Sequence, residues 1–336
     1  MNISYVSSDE TNNSSYFQGK WVFEPWHAVV ITIYGVIGFF SIFGNILVLI
    51  VFMRPRARRS FIDHYLIIIA VSDILIGIFC TPSFTEVLFH KWIAYDSMCP
   101  FMRFIQLFTI FNTVLSLVAI GIDRYVAVLT PLHVISPNLH VQMLMTIISI
   151  SFTVALPQIF VSRVQGAYCV ETWQESIKLL YTVFIFMIFF FSFCSLCFTY
   201  SCIAWVIWFH EAPGETVRSQ DRERNRIIKM LLVVVVFFSI CWLPLQFLTV
   251  WNDLQKYFDV ELVPYKYNLG TFYVFHCLAM MHSCVNPVVY SFLNQAFRTE
   301  LKHMITGLTP KWPKVKFSSL QVNVNVQTNV SMMTTA

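Results

Sequence analysis

Seven stretches of this chain are apolar, poor in charge and at least 20 residues long: 28–53, 65–89, 104–130, 141–161, 179–209, 227–250 and 269–293. Crossing the hydrocarbon core of a bilayer as a helix takes about 20 apolar residues. Lipid offers the backbone no hydrogen bonds, so such a segment satisfies its own N–H and C=O groups by coiling. Composition agrees: charged residues are 12% of the chain and hydrophobic ones 57%, whereas soluble domains carry about 25% charged residues. Thirty-three phenylalanines have too little soluble length to bury them. The expected fold class is an all-α membrane protein, a seven-transmembrane helix bundle. The amphipathic, basic segment 295–303 follows the last run at once and predicts a short eighth helix.

Charge orients the bundle. Arg54, Arg56, Arg58 and Arg59 follow the first run, Arg218, Arg222, Arg224, Arg226 and Lys229 lie around the start of the sixth, and Arg298, Lys302, Lys311, Lys314 and Lys316 follow the seventh. With seven spans these all fall on one side. The other side carries Asp9, Glu10, Glu24, Asp96, Glu171, Glu175, Asp253, Asp259 and Glu261. The positive-inside rule therefore predicts an extracellular N-terminus and a cytoplasmic C-terminus. The expected organisation is an extracellular tail over 1–27, the membrane domain with its eighth helix over 28–305, and a polar, disordered cytoplasmic tail over 306–336. The net charge of +4 reflects this asymmetry and gives no reason to expect a nucleic-acid partner. The first 26 residues show no basic-then-apolar signal peptide, so the first span is expected to act as its own insertion signal. Asn2, Asn12 and Asn13 open glycosylation sequons on the outer side. Seven of nine cysteines fall within spans and read as small buried hydrophobes. Cys99 and Cys169 alone face the oxidising side, where two exposed cysteines are expected to pair. No Cys-x-x-Cys or His-x-x-x-His pattern suggests a structural metal.

The polar residues inside the runs are few. Asp73 is a carboxylate in mid-span, an expensive placement that marks a functional site by default. Arg124 closes the third run beside Asp123 and Tyr125. Pro287 interrupts the seventh and frees a backbone carbonyl that needs another partner. Asn286 and Tyr290 flank that break and can supply polar groups there. Gly44-Asn45, residues 66–73 ending in Asp73, Trp92 before Cys99, Asp123-Arg124-Tyr125, Cys241-Trp242-Leu243-Pro244 and Asn286-Pro287-Val288-Val289-Tyr290 follow in that order. Together with the spans and the cysteine pair they resemble the rhodopsin-like (class A) G-protein-coupled receptors over about residues 28 to 305. Two departures stand out: Ile148 replaces the usual tryptophan of the fourth span, and Ser192 replaces the usual proline eight residues before Tyr200.

The resemblance implies roles. Asp123, Arg124, Tyr125, Tyr200, Phe238, Trp242, Pro244, Asn286, Pro287 and Tyr290 would form the activation switch and couple to the G protein. Asp73, Thr113, Ser283 and Asn286 would hold an allosteric sodium ion, with His282 where asparagine is more common. The acid that in relatives restrains the arginine from the foot of the sixth span is here Arg224. Gln106 stands where amine receptors carry aspartate, and Met280 where opsins carry the retinal lysine, so both ligand classes are disfavoured. Gln106 resembles neuropeptide receptors. The expected ligand is an extracellular peptide with a basic group, met by Gln106, Gln246, Thr249 and His276 in depth and by Glu86 and Glu171 at the mouth. The expected location is the plasma membrane, with a heterotrimeric G protein, arrestin and membrane lipid as partners and no covalent chemistry. The rivals are a lipid or other non-peptide receptor of the same fold, and a seven-span transporter. The transporter would need several deep charges along a path, where this chain has Asp73.

Overall fold

The computed structural model describes residues 25–54, 61–80, 92, 94–129, 135–166, 168–209, 215–260 and 265–307. The helices are α1 (Pro25–Phe52), α2 (Ile62–Leu75), α3 (Met98–Leu129), α4 (Pro137–Ala155), the short α5 (Pro157–Val161), α6 (Glu175–Phe209), α7 (Glu215–Tyr257), α8 (Tyr265–Leu293) and α9 (Gln295–Thr306). A π-helical turn, Ile76–Cys80, continues α2, and a two-stranded antiparallel hairpin, β1 (Ser162–Gln165) and β2 (Tyr168–Glu171), follows α5. Among the described residues, seven helical spans are long and apolar enough to cross a membrane, α4 and α5 together making the fourth. The seven-span reading holds, with changed ends. The charged run before the sixth span continues the helix, so α7 is 43 residues long. Arg, Glu and Lys are good helix formers, so a helix need not stop where the lipid does.

Ends are set locally. Ser136 caps α4 by accepting from the Leu139 N–H at 3.3 Å, with Pro137 in the first turn. Asn294 caps α9 by accepting from the Phe297 N–H at 2.9 Å, and Gly307 closes that helix with φ 63°. The expected eighth helix is thus α9. Phe297 is fully buried and meets Phe52 and Tyr290 at ring distances of 6.0 and 6.5 Å. The buried side chains Tyr34, Phe111, Leu117, Phe238, Trp242 and Tyr290 belong to one core down the middle of the bundle. Phe39, Phe43, Phe191 and Phe198 point outward, each more than half exposed. Such a girdle would be a liability in water and is ordinary against lipid.

The proline break in α8 has a different partner from the one expected. Without an N–H on Pro287, the Ser283 carbonyl loses its helical donor. Asn45 of α1 supplies it, donating from Nδ2 at 2.8 Å. Asn286 and Tyr290 do not fill this role: Asn286 donates to Asp73, and the Tyr290 hydroxyl has no hydrogen-bond partner among the described residues. Gly44 permits the approach, since a Cβ there would lie 2.8 Å from Pro287 Cγ. The two departures also have places. α6 runs unbroken past Ser192, which is buried, while Ile148 is 37% exposed on the outer surface of the bundle.

Candidate functional site

The polar residues gather at three levels of the bundle. At the first, a cavity of about 610 Å³ opens between α3, α6, α7, α8 and the hairpin. The Cys99–Cys169 disulfide, with Cα atoms 5.6 Å apart, ties the start of α3 to β2. Cys169, Val170 and Glu171 thereby line the cavity, and Arg103 donates to the Cys169 carbonyl at 3.3 Å. Gln106, Gln158, Gln246, Thr249 and His276 line it as well. His276 bridges two helices: its Nδ1 lies 2.6 Å from the Tyr34 hydroxyl and its Nε2 3.3 Å from Gln106 Nε2. With the Gln106 amide donating to Nε2, the ring proton sits on Nδ1 and is donated to Tyr34. The Gln106 carbonyl oxygen has no part in that contact. Thr249 spends its hydroxyl proton on the Leu245 carbonyl at 2.9 Å, leaving it an acceptor. Glu171 is half-buried at the rim. Glu86 and the sequon residues Asn2, Asn12 and Asn13 lie outside the described residues.

One acid of this cavity was read from sequence only as an outer-side charge. Asp253 is buried in its wall, 8% exposed. Thr182 donates to its Oδ2 at 2.7 Å, and Lys178 pairs with its Oδ1 at 3.0 Å. A second bridge, Lys256–Glu175 at 2.6 Å, joins the same two helices further out. The signal was available: Gln246, Thr249 and Asp253 are spaced i, i+3, i+7, which puts all three on one helix face.

At the second level the cavity floor meets a buried polar cluster. Trp242, 2% exposed, packs against Phe189 and Phe238 with ring centroids 6.2 Å from each. Its indole N–H donates to His282 Nδ1 at 3.1 Å, and His282 Nε2 lies 3.4 Å from Asp73 Oδ1. Asn286 donates to the other carboxylate oxygen at 2.7 Å. Ser283 is turned within its own helix, donating to the Met280 carbonyl at 2.7 Å. Thr113, His282 and Asn286 border a cavity of about 10 Å³. Asn45 Oδ1, Asp73 Oδ1 and Thr113 Oγ1 are buried without a hydrogen-bond partner among the described residues. Orphaned oxygens of this kind are the donors a small hard cation takes, so the chemistry of these side chains fits the expected ion. His282 Nε2 approaches Asp73 Oδ1 without a hydrogen bond to it.

At the third level, Arg124 donates to Asp123 Oδ2 through Nε at 3.0 Å and also through Nη2. Tyr125 packs on Phe198, and Tyr200 is buried with its hydroxyl lacking a hydrogen-bond partner among the described residues. Arg54 pairs with the buried Glu300 of α9 at 3.3 Å. The side chain of Arg224 is not among those described.

A seven-span bundle with a disulfide-tied pocket on one side and an acid-held arginine on the other defines a transmembrane receptor. The chain belongs to the rhodopsin family of seven-transmembrane receptors, whose family model matches residues 44–290. Among curated relatives, the RYamide receptor of Drosophila melanogaster is 30% identical over 318 residues, covering 87% of this chain and 67% of that one. The neuromedin-K receptor of Oryctolagus cuniculus is 27% identical, covering 86% and 63% respectively. The QRFP-like peptide receptor of Branchiostoma floridae is 29% identical, covering 82% and 77%. The chain spans about two thirds of the length of the first two.

Proposed function

We propose that this protein is a plasma-membrane receptor, N-terminus outside, that an extracellular peptide activates and that signals through a heterotrimeric G protein. The observation that carries the peptide class is the lining of the open cavity. Amide groups at Gln106, Gln158 and Gln246 suit peptide backbone, while Glu171 and Asp253 suit a basic side chain. The names of the relatives, receptors for RYamide, neuromedin K and QRFP-like peptide, support the same class. Its outward loops carry the acids and its inward loops the arginines, which supports the orientation.

The mechanism is a population shift without covalent chemistry. Agonist binds the open cytoplasmic state more tightly than the closed one and so enriches it. The G protein favours that state from the other side, and the two affinities are reciprocally linked. Trp242 passes the state of the cavity to the Asp73 cluster through His282. Asp73, Thr113, Ser283, Asn286 and Asn45 would hold a sodium ion, which supplies a compensating charge to the buried carboxylate in the resting state. Arg124, released from Asp123, would meet the G protein, and arrestin would bind the same face. Residues 1–27 form the outer tail with glycosylation at Asn2, Asn12 or Asn13, 28–305 the receptor domain, and 306–336 the cytoplasmic tail. Glu86 would add an acid at the mouth.

The deciding experiment screens a neuropeptide library on cells bearing the chain, with a readout that covers all G-protein classes. A peptide hit with a basic residue is expected. Activation by a neutral lipid, indifferent to Asp253→Asn and Glu171→Gln, would overturn the peptide reading and leave a receptor for lipid.

A further inference from the structure

The acid that holds Arg124 is itself held. Asp123 gives its Oδ2 to Arg124, and its Oδ1 faces His140 Nε2 of α4 at 3.4 Å. The other ring nitrogen, Nδ1, lies 3.4 Å from the hydroxyl of Tyr65 on α2. Phe61, at the foot of α2, stacks on the imidazole at 4.5 Å with an interplanar angle of 8°. The ring is 2% exposed. Three helices therefore locate one side chain, and every polar atom on it has a partner. With the Tyr65 O–H donating to Nδ1, a neutral imidazole carries its proton on Nε2, on the side of Asp123 Oδ1. Nothing in this arrangement depends on the ring gaining a charge.

We propose that His140 is a positioning residue that fixes Asp123 in the orientation that retains Arg124, and so sets the ligand-free activity of the receptor. This rests on the receptor reading above. A carboxylate anchored through α2 and α4 is a preorganised acceptor, and an acceptor already in place costs less ordering when the guanidinium docks. Without the ring, Asp123 has one oxygen without a protein donor and can follow Arg124 as it leaves. The device matters more here than in relatives with an acid at the foot of α7, because this chain has Arg224 there. The retaining contact seen for Arg124 is the one with Asp123, so whatever steadies Asp123 steadies the resting state.

The test measures ligand-free G-protein activation, normalised to receptor at the cell surface, for the full chain and five variants. Asp123→Asn removes the restraint itself and is the internal control. His140→Phe keeps a stacking ring and deletes the donor, and it should raise ligand-free signalling about fivefold, the ratio that losing one buried hydrogen bond produces. His140→Gln keeps an N–H donor at the same reach and should stay near wild type, which a merely structural role for the ring would not predict. In the double variant with Asp123→Asn, His140→Phe should add nothing, because it acts through that carboxylate. A raised signal from Asp123→Asn with none from His140→Phe overturns the inference and leaves the receptor reading intact, as does full additivity in the double variant. No signal from either single variant counts against the coupling reading and takes the inference with it. Should His140→Phe fail to reach the surface, Tyr65→Phe decides: it deletes only the hydroxyl that orients the ring, and an unchanged ligand-free signal there overturns the inference.

Discussion

Asp253 is a pocket acid that is buried and already paired. Lys178 and Thr182 occupy its two oxygens. A basic ligand group that reaches it takes the place of Lys178, so the pocket need not leave a bare carboxylate between binding events. Removing one partner of a desolvated charge pair costs about 2–5 kcal/mol, roughly 30-fold or more in affinity. Asp253→Asn should therefore weaken a cognate basic peptide by that factor in competition binding, and Glu171→Gln, at the rim, by less. Equal affinity in both variants would remove these acids from the ligand site. The Asp73 cluster makes a separate prediction. If the oxygens of Asp73, Thr113 and Asn45 hold sodium in the resting state, raising sodium lowers agonist affinity by linkage. Asp73→Asn keeps the shape and the contact with Asn286 while losing the charge, and should abolish that dependence. Sodium sensitivity that survives the substitution contradicts the ion assignment.

At the scale of the element, α1 and α8 close on each other where Gly44 faces Pro287. Gly44 lets the two backbones close, and Asn45 fills the hydrogen-bond gap that Pro287 opens at Ser283. Asn45→Leu leaves that carbonyl buried and unpaired, a loss of about 1–3 kcal/mol. The purified receptor should unfold at a lower temperature, and an unchanged midpoint would show that the carbonyl finds another donor. The hairpin is joined to α3 by Cys99–Cys169, and it forms one wall of the pocket. Cys99→Ala should lower surface expression and ligand binding together. A variant that reaches the surface in full and binds normally would reduce the bridge to a decoration.

Across the whole molecule, what was legible in the sequence is what lipid dictates. Span number follows from hydrocarbon thickness, and the expected side of each loop follows from where the arginines fall. The relations between helices were not legible. One apolar helix says little about its own rotation, because lipid and bundle interior accept the same side chains. So the sequence assigns Asn45 to its span without showing its bond to Ser283, and His140, one residue before the fourth apolar run, carries no signal of its own. Asp253 reads as a loop charge because its helix continues beyond the apolar residues that mark the span. The same geometry separates binding from signalling. Gln106 and Arg124 are 18 residues apart on α3, about 27 Å along the axis at 1.5 Å per residue. A ligand held at Gln106 would not reach Arg124 at that distance, so on the proposed function the two ends communicate through the states of the bundle. Arg124→Ala should then abolish G-protein activation while the receptor still reaches the surface and binds peptide. Because a bound G protein raises agonist affinity by linkage, the variant should also lose the high-affinity component that wild type shows in membranes with G protein present. Saturation binding with and without a non-hydrolysable guanine nucleotide reads both effects. Full signalling by Arg124→Ala, or a high-affinity state that persists and still responds to nucleotide, would mean that coupling runs through other residues on that face.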